Sequence, residues 1–134
     1  MEYVADANAI AWHLFARQRL GNAALAALDE AEAGRAKIFI PAVAVAEVIM
    51  VVEKHRLQGA TMPQLEIELG LMQQSANYEL LPLLPDLVIS SRTLTAIPDI
   101  FDRLIVAESL RFGLPLITSD TVIRSSGLVN VIWD

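Results

Sequence analysis

Apolar residues fall into two kinds of run along this chain. The first kind is short and continuous: Tyr3-Val4-Ala5, Lys37-Ile38-Phe39-Ile40, Glu79-Leu80-Leu81-Pro82-Leu83, Leu116-Ile117-Thr118 and Val129-Asn130-Val131-Ile132-Trp133. These runs do not alternate with polar residues, so they predict strands buried on both faces. The second kind is longer and spaced as a helix: from about Ala7 to Ala16, Asn22 to Ala33, Ala42 to His55, Thr61 to Ser75, Pro85 to Thr95, and Pro98 to Gly113. Local punctuation agrees with these boundaries. Gly34 is a C-terminal stop, Pro41 closes a strand, and Thr61-Met62-Pro63 supplies a cap with proline in the first turn. Strands alternating with helices predict an α/β chain of three layers, with a central parallel sheet of four to five strands and helices on both faces. There is no repeat, low-complexity tract or linker, and 134 residues suit a single domain spanning 1–134.

Composition narrows the class. Hydrophobic residues make up 54% and charged residues 19%, which excludes a disordered chain. The absence of cysteine excludes a disulfide framework, a thiolate zinc site and a cysteine nucleophile, and fits a reducing cytoplasm. No apolar run is long enough to span a membrane, and the start Met1-Glu2-Tyr3 lacks the basic and apolar segments of a signal peptide. A cytoplasmic protein without a membrane partner is expected. The net charge of −6 runs against nucleic-acid binding unless cations neutralise some of the acids.

The predicted fold places certain acids together. In a parallel α/β sheet, strand carboxyl ends and helix N-termini share one edge, and ligands bind there. Asp6 ends the first strand and Asp120 follows the fourth; Glu47 lies in the second turn of the helix after the second strand, and Asp99 and Asp102 open the helix after Pro98. All five point to that edge. Asp6, Glu47 and Asp102 also interrupt apolar segments, where an unpaired carboxylate is costly and neighbouring carboxylates raise one another's pKa. Only ten Lys and Arg residues serve the whole chain. A divalent cation resolves this conflict, and hard oxygen ligands suit Mg²⁺ or Mn²⁺.

Each acid also has an ordinary role. Asp6 suits a helix cap, Asp99 a first-turn partner of the helix dipole, and Asp120 a turn. Asp102 could pair with Arg103 or with Arg111. Glu47 has the weakest such alternative, because a lone acid in an apolar helix rarely lacks a partner. His13 and His55 fall on predicted helices away from the acidic edge, so surface positions are expected.

Four stretches resemble the PIN-domain family, most closely the VapC-type toxins of bacterial toxin–antitoxin pairs. They are Tyr3-Val4-Ala5-Asp6-Ala7-Asn8-Ala9-Ile10, Pro41-Ala42-Val43-Ala44-Val45-Ala46-Glu47-Val48, Phe101-Asp102-Arg103-Leu104-Ile105-Val106-Ala107-Glu108-Ser109 and Gly113-Leu114-Pro115-Leu116-Ile117-Thr118-Ser119-Asp120. The closing Val131-Ile132-Trp133 is also similar. One corner departs from the family: Ile97-Pro98-Asp99-Ile100-Phe101 has its proline displaced and lacks the preceding His and Arg of many relatives.

The resemblance implies a PIN-like fold and a Mg²⁺- or Mn²⁺-dependent endoribonuclease. Asp6, Glu47, Asp102 and Asp120 would be the catalytic acids and metal ligands, with Asn8, Thr118, Ser119 and Asp99 accessory. It also implies a homodimer, an RNA substrate and a cognate antitoxin. The apolar segment Ala60 to Asn77 is a candidate interface. Alternatives are a non-catalytic PIN-like binding module and a nuclease acting on DNA. A phosphorylatable receiver domain or an aspartate-nucleophile phosphatase would need a late lysine, and the only lysines are Lys37 and Lys54.

Overall fold

A computed structural model describes residues 1–134. In chain order it contains β1 (Glu2–Ala5), α1 (Ala7–Phe15), a 3-10 turn (Arg17–Arg19), α2 (Asn22–Glu32), β2 (Lys37–Pro41), α3 (Ala42–Glu53), α4 (Met62–Gln74), β3 (Tyr78–Leu81), α5 (Pro85–Ser91), α6 (Ile100–Phe112), β4 (Leu116–Ile117), α7 (Thr121–Ser126) and β5 (Val131–Ile132). The five strands form one sheet in the order β3-β2-β1-β4-β5, and every pairing is parallel. This is the three-layer α/β/α arrangement the alternation predicts. Consecutive residues Val4 and Ala5, and likewise Leu116 and Ile117, are fully buried. Both faces of the sheet are therefore covered, which is why these strands are apolar throughout. No helix is long and apolar enough to cross a membrane.

The chain order contains a switch point. From β1 it moves out to β2 and then β3; it returns past β1 to β4 and then β5. Right-handed crossovers put the helices of these two halves on opposite faces. A crevice consequently opens above the carboxyl ends of β1 and β4, whose register pairs Ala5 with Ile117. Asp6 and the Thr118–Asp120 segment follow those two residues directly.

Several boundaries differ from the sequence reading. The helix opened by Pro85 stops at Ser91 and does not reach Thr95. The hydroxyls of Ser90, Ser91 and Thr93 donate to the carbonyls of Leu87, Val88 and Ser90, competing with helical continuation. The next helix starts at Ile100, not Pro98, because Asp99 is its cap and accepts from the backbone N–H groups of Phe101 and Asp102. The short α7 was not predicted. Its six residues are too few to show a period, and only its Asp120 cap betrays it. In α4, Leu65 and Met72 join the core, whereas Ile67 and Leu71 are exposed, so only part of that predicted interface segment is free.

His13 is the clearest correction. It is buried, not superficial. Its Nε2 lies 2.9 Å from Glu32 Oε1 and 3.2 Å from the Tyr78 hydroxyl, and Arg17 donates to its Nδ1 at 2.8 Å. Both ring nitrogens are satisfied, which removes the cost of burying them. With Nδ1 accepting, the ring is neutral; burial, first of all, pushes its pKa below the ordinary value despite Glu32.

His55 is exposed and sits just past the end of α3 with φ 54°, in the left-handed region. That position usually belongs to glycine. His55→Gly is expected to raise stability by about 0.5–1 kcal/mol, visible as a higher urea midpoint at unchanged slope. A lower midpoint would mean that the imidazole makes stabilising contacts.

Candidate active site

Asp6, Glu47, Asp102 and Asp120 line one cavity of about 490 Å³, with Asn8, Ser119, Met50 and Arg56 also in its wall. The four acids come from four elements. Asp6 caps α1, where one oxygen accepts from Ala9 N–H at 2.9 Å. Asp120 caps α7 by accepting from Ile123 N–H at 2.9 Å. Glu47 belongs to α3 and Asp102 to the first turn of α6; these two helices touch over the sheet edge. A capping aspartate uses one oxygen lone pair and keeps others for a ligand. The capping and ligand readings of Asp6 and Asp120 are therefore compatible.

Thr118 plays a part that the sequence did not reveal. It is completely buried. Its hydroxyl donates to the second oxygen of Asp6 and accepts from Asp120 N–H, the latter at 3.0 Å. It ties the ends of β1 and β4 together and fixes the Asp6 rotamer. Asn8 and Ser119 line the cavity, as accessory residues would, but Thr118 acts from behind it. Asp99 is absent from the cavity wall and spends one oxygen on capping α6. Arg103 donates to Ile97 O and Arg111 to Glu108, so neither neutralises Asp102.

The electrostatics follow from this crowding. Burial raises Asp6 to about 6; the bonds from Thr118 and Ala9 oppose the rise, and Asp120 adds to it. Glu47 is pushed up to about 7 by burial and then by Asp102, Asp6 and Asp99. Asp102 rises to about 6 through burial, Asp120, Asp99 and Asp6. Oε1 of Glu47 is buried without any hydrogen-bond partner. An orphaned acceptor beside three further carboxylates marks a place for a cation.

The donor set is all hard oxygen, which fits Mg²⁺ or Mn²⁺. The carboxylates share a wall but do not form a closed cluster of three or more ligand groups. A groove of about 560 Å³ between α5 and α6 is slightly larger, but Leu84, Leu87, Leu94 and Leu110 dominate it and it has no comparable set of acids.

Ala7, Met50, Val51, Arg56, Thr121 and Val122 complete the acidic cavity. None was singled out from the sequence. For Arg56 the one available signal was its place among only ten basic residues, shortly after the helix that carries Glu47.

The PIN domain family matches residues 3–126 of the chain. No curated protein gives a significant match. Among solved structures, the chain is similar to VapBC2 from Rickettsia felis bound to a promoter DNA fragment, with TM-score 0.71 and 16% identity over 100% of both chains. It is also similar to the sarcin-ricin loop cleaving toxin VapC20 of Mycobacterium tuberculosis, with TM-score 0.68 and 14% identity over 97% of this chain and 98% of that one. FitAcB from Neisseria gonorrhoeae gives TM-score 0.63 and 20% identity over 97% and 96%. At these identities the likeness is one of fold.

Proposed function

This chain belongs to the PIN-domain family, and from that premise we propose that it is a divalent-metal-dependent endoribonuclease, the toxin of a toxin–antitoxin pair. The observation that carries the proposal is the convergence of Asp6, Glu47, Asp102 and Asp120 on one cavity with a Glu47 oxygen left unpartnered. The similarity to a sarcin-ricin loop cleaving toxin supports RNA as substrate. The similarity to VapBC2 supports an antitoxin partner.

Asp6, Glu47, Asp102 and Asp120 would hold Mg²⁺ or Mn²⁺. When bound, such an ion supplies Lewis acidity toward water and the scissile phosphate. The chain's own part is to hold its ligands still. Asp6 is pinned at both oxygens, and Asp120 is anchored by its cap and by the Thr118 hydroxyl at its own N–H. Such pre-organisation lowers the cost of assembling the reacting groups. Asn8 and Ser119, which line the same cavity, would orient water there. A homodimer in the cytoplasm completes the proposal. The exposed Ile67 and Leu71, or Ile89, Phe101 and Leu110, offer apolar surface for the second copy and the antitoxin.

The test is cleavage of single-stranded RNA by the purified protein, with single-stranded DNA alongside and calorimetric titration of Mn²⁺. Cutting of RNA that EDTA stops and Mn²⁺ restores is the expected result. A silent titration with no cleavage would make the chain a PIN-like binding module instead. Preferential cutting of DNA would change the substrate class.

A further inference from the structure

Eight of the ten basic side chains are engaged. Arg17, Arg35, Lys37, Arg111 and Arg124 form ion pairs with Asp29, Glu30, Glu79, Glu108 and Asp134. Arg92 and Arg103 donate to backbone carbonyls, and Arg19 lies over Trp12. The remaining two are Lys54 and Arg56, both exposed in the turn after α3. Arg56 stands in the wall of the acidic cavity, among four carboxylates, yet forms none of the six ion pairs. The backbone fixes where it starts: Arg56 N–H donates to Val51 O at 3.0 Å, and His55 reverses the chain immediately before it.

We infer that Arg56 is a substrate-binding residue. Its guanidinium grips the two non-bridging oxygens of the RNA phosphate next to the one that is cut, and Lys54 adds attraction further out. The inference rests on the nuclease reading above for its substrate. The chemistry is direct. A guanidinium matches a phosphate with two parallel hydrogen bonds, and Arg56 enters the encounter with all its donors free. The chain carries a net charge of −6, so it needs a local cation to hold a polyanion at this edge. No other basic residue lines the cavity.

The experiment compares wild type, Arg56→Gln, Arg56→Lys and Lys54→Gln. The first readout is the Kd of a fluorescein-labelled oligouridine in Ca²⁺, followed by anisotropy; the others are kcat, KM and Mn²⁺ affinity. Arg56→Gln is expected to raise Kd and KM roughly tenfold and leave kcat within about twofold. The slope of log affinity against log salt should fall by about 0.7, one phosphate contact on a single strand. Arg56→Lys should keep that slope while recovering only part of the affinity, and Lys54→Gln should have the smaller effect. Mn²⁺ affinity should not change. Unchanged Kd and slope in Arg56→Gln would overturn the inference, as would a loss of Mn²⁺ binding, which would make Arg56 a support for the carboxylates. A wild type that binds the oligonucleotide but never cuts it defeats the nuclease reading alone, and the Kd ratio still decides the role of Arg56.

Discussion

Asp6→Asn is expected to abolish nuclease activity and, in metal-free buffer near pH 8, to melt at a higher temperature than the wild type. A folded-state pKa of about 6 against an ordinary 3.8 means that folding favours the protonated carboxyl. The favourable contribution of that proton is complete below pH 3.8 and is lost as pH rises through about 6. Above that range the buried charge costs roughly 3 kcal/mol at most, from about two units at 1.36 kcal/mol each. Asparagine keeps an oxygen for Ala9 N–H and removes the charge, but its amide NH2 meets the Thr118 hydroxyl where a carboxylate oxygen accepted, so that hydroxyl must turn to accept. The net gain is therefore expected at about 1–2 kcal/mol, or roughly 3–8 °C for a chain of this size. The same change removes a metal ligand, so cleavage should drop by at least about 100-fold.

Two controls make this prediction specific. The difference in melting temperature should vanish as pH falls toward 4, since wild-type Asp6 is then protonated in the folded state. Mn²⁺ should raise the melting temperature of the wild type much more than that of the variant. A variant that is active would remove Asp6 from the proposed site, and one less stable than the wild type at pH 8 would refute the cost assigned to its buried charge. Glu47 and Asp102 are raised for similar reasons. Metal-free wild type should accordingly lose stability between about pH 4 and 7 and regain it on adding the cation.

Gly21→Ala is expected to be the most destabilising small substitution in the chain, at about 3 kcal/mol or more. Backbone conformation is not the reason: φ is −67° and ψ 161° at this residue, which alanine adopts freely. The obstacle is Trp133, the residue that follows β5. A Cβ on Gly21 would lie 2.7 Å from the Trp133 carbonyl carbon and 2.8 Å from its Cδ1. The same carbonyl accepts from Ala23 and Ala24 N–H at 3.0 and 3.1 Å, so it stands in for a side-chain cap on α2. Trp133 also meets Trp12 edge-on at 5.6 Å. The methyl must therefore push apart α2, β5 and α1 together. Urea unfolding of Gly21→Ala, alone and in a chain truncated after Ile132, separates the causes. Truncation should itself destabilise, and the alanine should then add little. A full additional loss in the truncated chain would place the clash elsewhere.

Much of the architecture was legible because it is written locally. Non-alternating apolar runs reported strands buried on both faces, and helical spacing between them reported the crossovers. Caps depend on residues three positions apart, so Thr61 could be read directly and Asp6 in one of its two senses. Glycines at the positive-φ helix ends Gly34 and Gly113 punctuate the chain in the same local way. The acidic edge followed from one topological rule: strand carboxyl ends and helix N-termini meet, which gathers Asp6, Glu47, Asp102 and Asp120 without any knowledge of side-chain positions.

What needed the tertiary structure is every partnership between residues distant in sequence. Nothing near His13 announces Tyr78, nothing near Asp6 announces the Thr118 hydroxyl, and nothing near Gly21 announces Trp133. The same holds for Arg56, whose meaning lies in having no partner while eight other cations are engaged, five of them in ion pairs. Periodicity and capping are short-range properties that each segment carries by itself. Which polar group is buried, satisfied or left free depends on which elements pack together, and that is settled only when the hydrophobic core closes around the whole chain.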